Sequence, residues 1–200
     1  FTVNNSGADS YAGTLTGNLA LTKSAAGTLT LTNSNTYSGA TTVNGGILAN
    51  GIANALPTST ALTVSGGNFD LSGYAQQVAS VSGTSSVTDS GTAATFTVNN
   101  SGADTFAGTL TGTNLALMKI GSGTLTLSGI NTYSGITTIN AGTLYISADS
   151  GLGTAPVSAT PGQLAFGGGT LETSGSFILN ANRGIALNAG GGTISTDSGM

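Results

Sequence analysis

Apolar residues in this 200-residue chain fall in pairs split by one polar residue, and the pairs recur at nearly regular intervals. Leu125/Leu127, Leu144/Ile146, Leu164/Phe166 and Ile185/Leu187 follow one another at a nearly constant step. Phe96/Val98 to Leu115/Leu117 keeps that step, and Phe1/Val3 to Leu19/Leu21 falls just short of it. Later steps in the first half are less regular, and Leu62/Val64 comes early. Alternation with period two is the mark of a strand with one buried face. Between the pairs lie Gly, Asn and Ser, residues that accept left-handed backbone or cap their own turns. Gly breaks nearly every window of ten, which disfavours helix throughout. The pattern predicts an all-β parallel solenoid with coils of about 20 residues, each strand stacked about 4.8 Å from its equivalent in the coil before. Ten such coils make a rod of roughly 50 Å. The competing fold is two tandem β-sandwich domains. The solenoid is preferred because the step crosses the middle of the chain without a linker.

A longer repeat contains the short one. Residues 1–17, FTVNNSGADSYAGTLTG, return at 96–112 with 15 of 17 positions identical. Residues 19–48 return at 115–144 with 19 of 30 identical. Beyond that the copies drift, but Gly66-Gly67-Asn68-Phe69-Asp70 aligns with Gly168-Gly169-Thr170-Leu171-Glu172, and Thr-Asp-Ser-Gly occurs at both 88–91 and 196–199. The sequence divides into long units 1–95 and 96–200, expected to continue into one another as a single solenoid. Phe1 opens one unit and Met200 falls near the close of the other, as in a window on a longer array.

Composition narrows the function. Thr, Gly, Ser and Asn fill more than half of the positions, and only Lys23, Lys119, Arg183, six Asp and one Glu carry formal charge. No His or Cys is present, so His-based triads, Cys nucleophiles and His/Cys zinc sites are excluded. Three basic residues make no phosphate-binding surface, which argues against a nucleic-acid partner. Apolar runs are far shorter than the roughly 20 residues of a membrane helix. The lack of Cys fits a protein exported unfolded.

The segment Leu117-Met118-Lys119-Ile120-Gly121-Ser122-Gly123-Thr124-Leu125-Thr126-Leu127-Ser128-Gly129, followed by NTYSGITTINAGTLYIS at 131–147, resembles the autotransporter-associated β-strand repeat. The first unit carries a looser version from Lys23 through Thr28-Leu29-Thr30-Leu31 to Asn35-Thr36-Tyr37-Ser38-Gly39 and Thr41-Thr42-Val43-Asn44, without Gly at position 25 and with Ile47 in place of Thr. The resemblance implies a right-handed parallel β-helix in the passenger of a bacterial surface or secreted protein. It implies a structural stalk that supports adhesion or surface association, outside the cell and without enzymatic activity. Neither end of the sequence reads as a cap, which leaves open a second role as the subunit of an extracellular filament that adds end to end. A polysaccharide-acting β-helix enzyme is the remote third reading. No receptor or glycan is specified.

Each residue of note has a bland reading beside a chemical one. Asp9/Asp104, Asp89/Asp197 and Asp70/Glu172 are equivalents a whole long repeat apart, too distant for the carboxylate pair of a glycosidase, and read as turn caps. No calcium-binding Asp array is present. Lys23 and Lys119 are expected to be solvated, or paired with Asp9 or Asp104 near the surface; the sharper alternative is a Lys–Asn or Lys–Asp crosslink. Tyr37 and Tyr133 are expected to pack over corners, with each Asn capping the turn, rather than to stack on sugars. The steps from Thr14-x-Thr16 to Thr28-x-Thr30 and from Thr109-x-Thr111 to Thr124-x-Thr126 are both shorter than a coil, so these pairs are not expected to build one flat ice-binding face. Asn4-Asn5-Ser6 and Asn99-Asn100-Ser101 fit a glycosylation sequon but serve a turn equally well. No catalytic, cofactor-binding or metal-ligating residue is assigned.

Overall fold

The computed structural model describes residues 1–197; Ser198, Gly199 and Met200, which close the second Thr-Asp-Ser-Gly match, lie outside the described residues. Every strand pairing among the described residues is parallel. That excludes the tandem-sandwich alternative, whose sheets are antiparallel, and gives a β-solenoid.

The coils pass around three sides. Among the described residues, sheet 1 has ten strands: Thr2–Val3, Leu21–Lys23, Thr41–Val43, Ala61–Val64, Ser80–Gly83, Ala103–Phe106, Thr124–Leu127, Thr143–Ile146, Thr170–Thr173 and Thr193–Thr196. Sheet 2 has six, from Ala8–Tyr11 to Thr109–Thr111, and sheet 3 has six, from Gln76–Val78 to Arg183–Leu187. Each complete coil visits sheet 1, then 2, then 3. Where a side lacks a strand, the chain still turns side chains inward, as at Leu15, Tyr37 and Leu56 early and at Tyr133 and Leu152 late. Strands from both long units pair directly, as in Ser86–Thr88 with Thr109–Thr111.

Alternation along each strand places one set of side chains in a continuous core. Leu21, Val43, Leu48, Val64, Phe69, Val87, Phe96, Leu125, Leu144 and Leu164 are wholly buried. At about 0.8 kcal/mol per buried CH2, such a column is the main source of cohesion. Outward positions take Thr and Ser. Thr2, Thr22, Thr42, Thr63 and Ser82 occupy one outward column of sheet 1, and the last two share a hydroxyl hydrogen bond of 3.1 Å. The Thr-x-Thr pairs at 109–111 and 124–126 fall on different sheets.

Several registers differ from the spacing-based expectation. Leu125/Leu127 stack on Leu144/Ile146, and Leu164/Phe166 on Ile185/Leu187, as their spacing predicts. Leu144/Ile146, however, stack on Leu171/Thr173 in sheet 1, whereas Leu164/Phe166 lie on Thr137/Ile139 in sheet 3. Phe96 pairs with Leu117 and Val98 with Lys119; Val3 pairs with Lys23. The physical reason is that two lysines and two threonines hold inward positions that an apolar-pair count skips. The coil also lengthens between Ile146 and its partner Thr173, where a 3-10 turn at Asp149–Leu152 is inserted.

Candidate functional site: the buried polar groups of the two matched segments

The family-like segments carry their polar residues inward. Lys23 follows Leu21 on one strand of sheet 1, and alternation turns both side chains into the core. Lys119 holds the equivalent place on a strand of sheet 3. Both side chains are 0% exposed, which overturns the solvated reading. Neither forms an ion pair; the only salt bridge among the described residues is elsewhere. The Lys23 Nζ donates to the Ala25 carbonyl in its own turn and to the Gly45 carbonyl of the next coil at 3.4 Å. The Lys119 Nζ donates likewise to Gly121 and, at 3.5 Å, to Ala141. Each ammonium thus ties two successive corners through their backbone carbonyls. Glycine keeps the space: a Cβ on Gly142, whose φ is +63°, would stand 2.8 Å from the Lys119 Nζ and collide with the Gly123 carbonyl.

Burial has an electrostatic cost. It lowers the pKa of both lysines, and that of Lys119 reaches about 8 despite the opposing pull of Asp104. Burial raises Asp104 in turn, against a backbone hydrogen bond from Val81 and the charge of Lys119. Asp104 faces inward because it stacks on Leu125, and its Oδ2 is buried without a hydrogen-bond partner. Its equivalent Asp9 stacks on Leu29 in the first coil and is exposed.

Asn35 and Asn131 act across three coils. The Asn35 Oδ1 accepts the Leu15 N–H of the coil before at 2.7 Å, and its Nδ2 donates to the Ala55 carbonyl of the coil after at 2.8 Å. Asn131 does the same with Leu110 at 2.8 Å and Gly151 at 3.0 Å. Two residues on, Tyr37 and Tyr133 are fully buried, with hydroxyls 2.5 and 2.6 Å from Thr41 and Thr137. Desolvation pushes both phenols up to about 12, only partly countered by those threonines. They point inward from a side of the coil that lacks a strand rather than over a corner, and are closed to sugars. Asn5 and Asn100 bind equivalent carbonyls: Gly7 and Thr28 at 2.9 and 2.7 Å, Gly102 and Thr124 at 2.8 and 2.7 Å. Asn4 and Asn99 of the sequons point outward.

The carboxylates are less scattered than the repeat spacing suggests. Asp70 and Asp89 belong to neighbouring coils, since Asp70 pairs with Thr88, and each grips the other's turn. Asp70 accepts from the Ser90 N–H and Oγ at 3.0 and 2.6 Å, Asp89 from the Gly73 N–H at 2.7 Å. Near the end, Arg183 is buried and spends its guanidinium on Asp149 Oδ1 and Oδ2 at 2.9 and 3.1 Å and on the Leu152 and Gly153 carbonyls at 3.0 and 2.6 Å. It fastens the inserted turn to the coil that follows. Spacing alone reaches neither arrangement; the only signal is that Asp70, Asp89 and Asp149 each precede a Ser-Gly turn.

No three acidic side chains converge among the described residues, and the Ser90 hydroxyl beside the Asp70 carboxylate belongs to a turn contact between neighbouring coils. Backbone amides and carbonyls are the partners of the buried lysines and of Asn35 and Asn131. The chemistry supported here is cohesion between coils.

Comparison with known proteins agrees. The passenger-associated-transport-repeat family pattern matches residues 21–49 and 117–146. A curated relative, the adhesin BmaC autotransporter of Brucella suis biovar 1 (strain 1330), is 40% identical over 197 residues, which covers 89% of this chain. The chain spans 6% of that relative's length. No solved structure matches. With two copies of the repeat on a parallel β-solenoid, the chain belongs to the autotransporter passenger repeat family.

Proposed function

We propose that this chain is a stretch of a passenger displayed outside a bacterium, a stiff spacer that supports adhesion and carries no catalytic centre. The observation that carries the reading is the use of its polar chemistry: the lysines, Asn35, Asn131 and the tyrosines bond one coil to the next. All three basic side chains are buried. Apart from scattered apolar side chains such as Ile130 and Val157, the outward side carries hydroxyls, amides and a few carboxylates, which suits contact with neutral or cationic partners and disfavours nucleic acid. No helix among the described residues is long and apolar enough to cross a membrane. We read 1–95 and 96–200 as tandem long repeats of one solenoid. The test is an in-frame deletion of the segment from its full-length gene, with surface exposure followed by antibody and adhesion to host cells counted. Adhesion is expected to fall while export continues; unchanged adhesion with intact export contradicts the role.

A further inference from the structure

Equivalent strands of the two long units do not lie on the same side of the rod. Leu21–Lys23 and Thr41–Val43 are in sheet 1, but their counterparts Leu115–Lys119 and Thr137–Ile139 are in sheet 3. Thr28–Leu31 and Ile47–Asn50 are in sheet 2, but Thr124–Leu127 and Thr143–Ile146 are in sheet 1. The same shift holds from Ala8–Tyr11 to Ala103–Phe106, from Asn68–Asp70 to Thr170–Thr173 and from Ser86–Thr88 to Thr193–Thr196. The cause is arithmetic in the chain. Counting each passage along a side, with or without a strand, the first unit makes fourteen from Thr2–Val3 to Ser86–Thr88, and the second fourteen from Ala94–Val98 to Thr193–Thr196. Fourteen is one short of five complete three-sided coils.

We infer that the long repeat is a screw element: each copy displays its outward side chains one side further round than the copy before. A third copy would begin on the side of sheet 2, and the fourth would return to sheet 1. At about 4.8 Å per coil, equivalent positions rise by about 22 Å per copy and recur on the same side every ~67 Å. A passenger built this way presents each repeated contact residue around its whole circumference. A ligand that spans one side meets it once per three copies, whereas one that follows the screw meets it at every copy. The inference rests on the division into two long repeats, and its test reads rotation independently of adhesion.

The chain has no Cys, so spin labels can be placed at will. Ser38 and Ser122 are exposed and stand five residues before Val43 and Leu127, which share one inward column through Val64, Gly83 and Phe106. Each leads into a strand of sheet 1 from the third side, and the two strands are four coils apart. Ser134, also exposed, is the repeat equivalent of Ser38. Pulsed dipolar distances in the S38C/S122C and S38C/S134C chains rank the two models. Rotation predicts the shorter distance for Ser38 to Ser122, whose strands are separated by a rise of about 19 Å, and a longer one to Ser134, which adds a crossing of the rod. A Ser38 to Ser134 distance equal to or shorter than the other overturns the inference, because equivalent residues would then stand one above another.

Discussion

A lysine at an inward strand position is the most informative single residue of the motif. Lys119 fills a core slot with its methylenes and spends its ammonium on two corner carbonyls. Lys119→Ala removes both, and is expected to cost about 3 kcal/mol in urea unfolding. Lys119→Met keeps the stem and removes a buried charge, so it is expected to cost less than about 1.5 kcal/mol. Equal losses would place the side chain outside. The charge also predicts an unusual pH dependence. Lys119 titrates at about 8 in the folded chain against an ordinary 10.5, so between those values the unfolded chain holds more protons and stability rises with pH. Tyr37 and Tyr133, moved from 10.0 to about 12, release protons first from the unfolded chain, so stability falls as pH climbs above about 10. Thermal melts are expected to peak near pH 10, and Lys119→Met to shrink the rise, to which Lys23 also contributes, while keeping the fall. A peak between pH 5 and 8 in the parent chain contradicts the burial of Lys119.

At the scale of the element, the coil is held by two kinds of bond: the apolar column and the side-chain bridges between turns. Leu125→Asp or Leu127→Asp puts an unpaired carboxylate into the column and is expected to unfold the chain, as lost sheet signal in circular dichroism. Asn131→Leu leaves the Leu110 N–H and the Gly151 carbonyl buried and unpaired, a loss of about 2–4 kcal/mol; retention of parent stability would mean those groups find water. Arg183→Met is expected to expose the 147–159 excursion to protease while the sheets persist. These elements show what is legible in the sequence. Alternation at Thr124-Leu125-Thr126-Leu127 reports a half-buried strand because both inward residues are apolar. At Leu21-Thr22-Lys23 the second inward residue is a lysine, and hydropathy points it the wrong way. That error displaces the expected register by two residues at Val3 and Val98. Asn131 reads as a turn cap because its partners Leu110 and Gly151 lie a full coil away on either side, beyond any local signal.

Across the whole molecule, sheet 1 contains ten strands, so the described rod is about 43 Å long by strand spacing alone. The coil period is readable from spacing, and the family from the motif. Three-sidedness is not, because a corner and a side are written in the same small residues, and Thr41 or Thr137 on an inward column looks no different from Thr42 or Thr138 outside. The rotation between repeats follows only when strands are assigned to sheets. It is also what links fold to proposed role: a spacer whose cohesion is internal leaves its outer positions free to vary.

The measurement that tests this account most directly is amine labelling of the native chain, read peptide by peptide in a mass spectrometer. Lys23 and Lys119 are the only lysines. With both ammonium groups tied to corner carbonyls inside the rod, each is expected to stay unmodified under conditions that label the terminal amine of Phe1, and to react fully once urea unfolds the chain. Labelling of either lysine in the folded chain as fast as a free amine would place it on the surface and contradict the interior bridges on which the account depends.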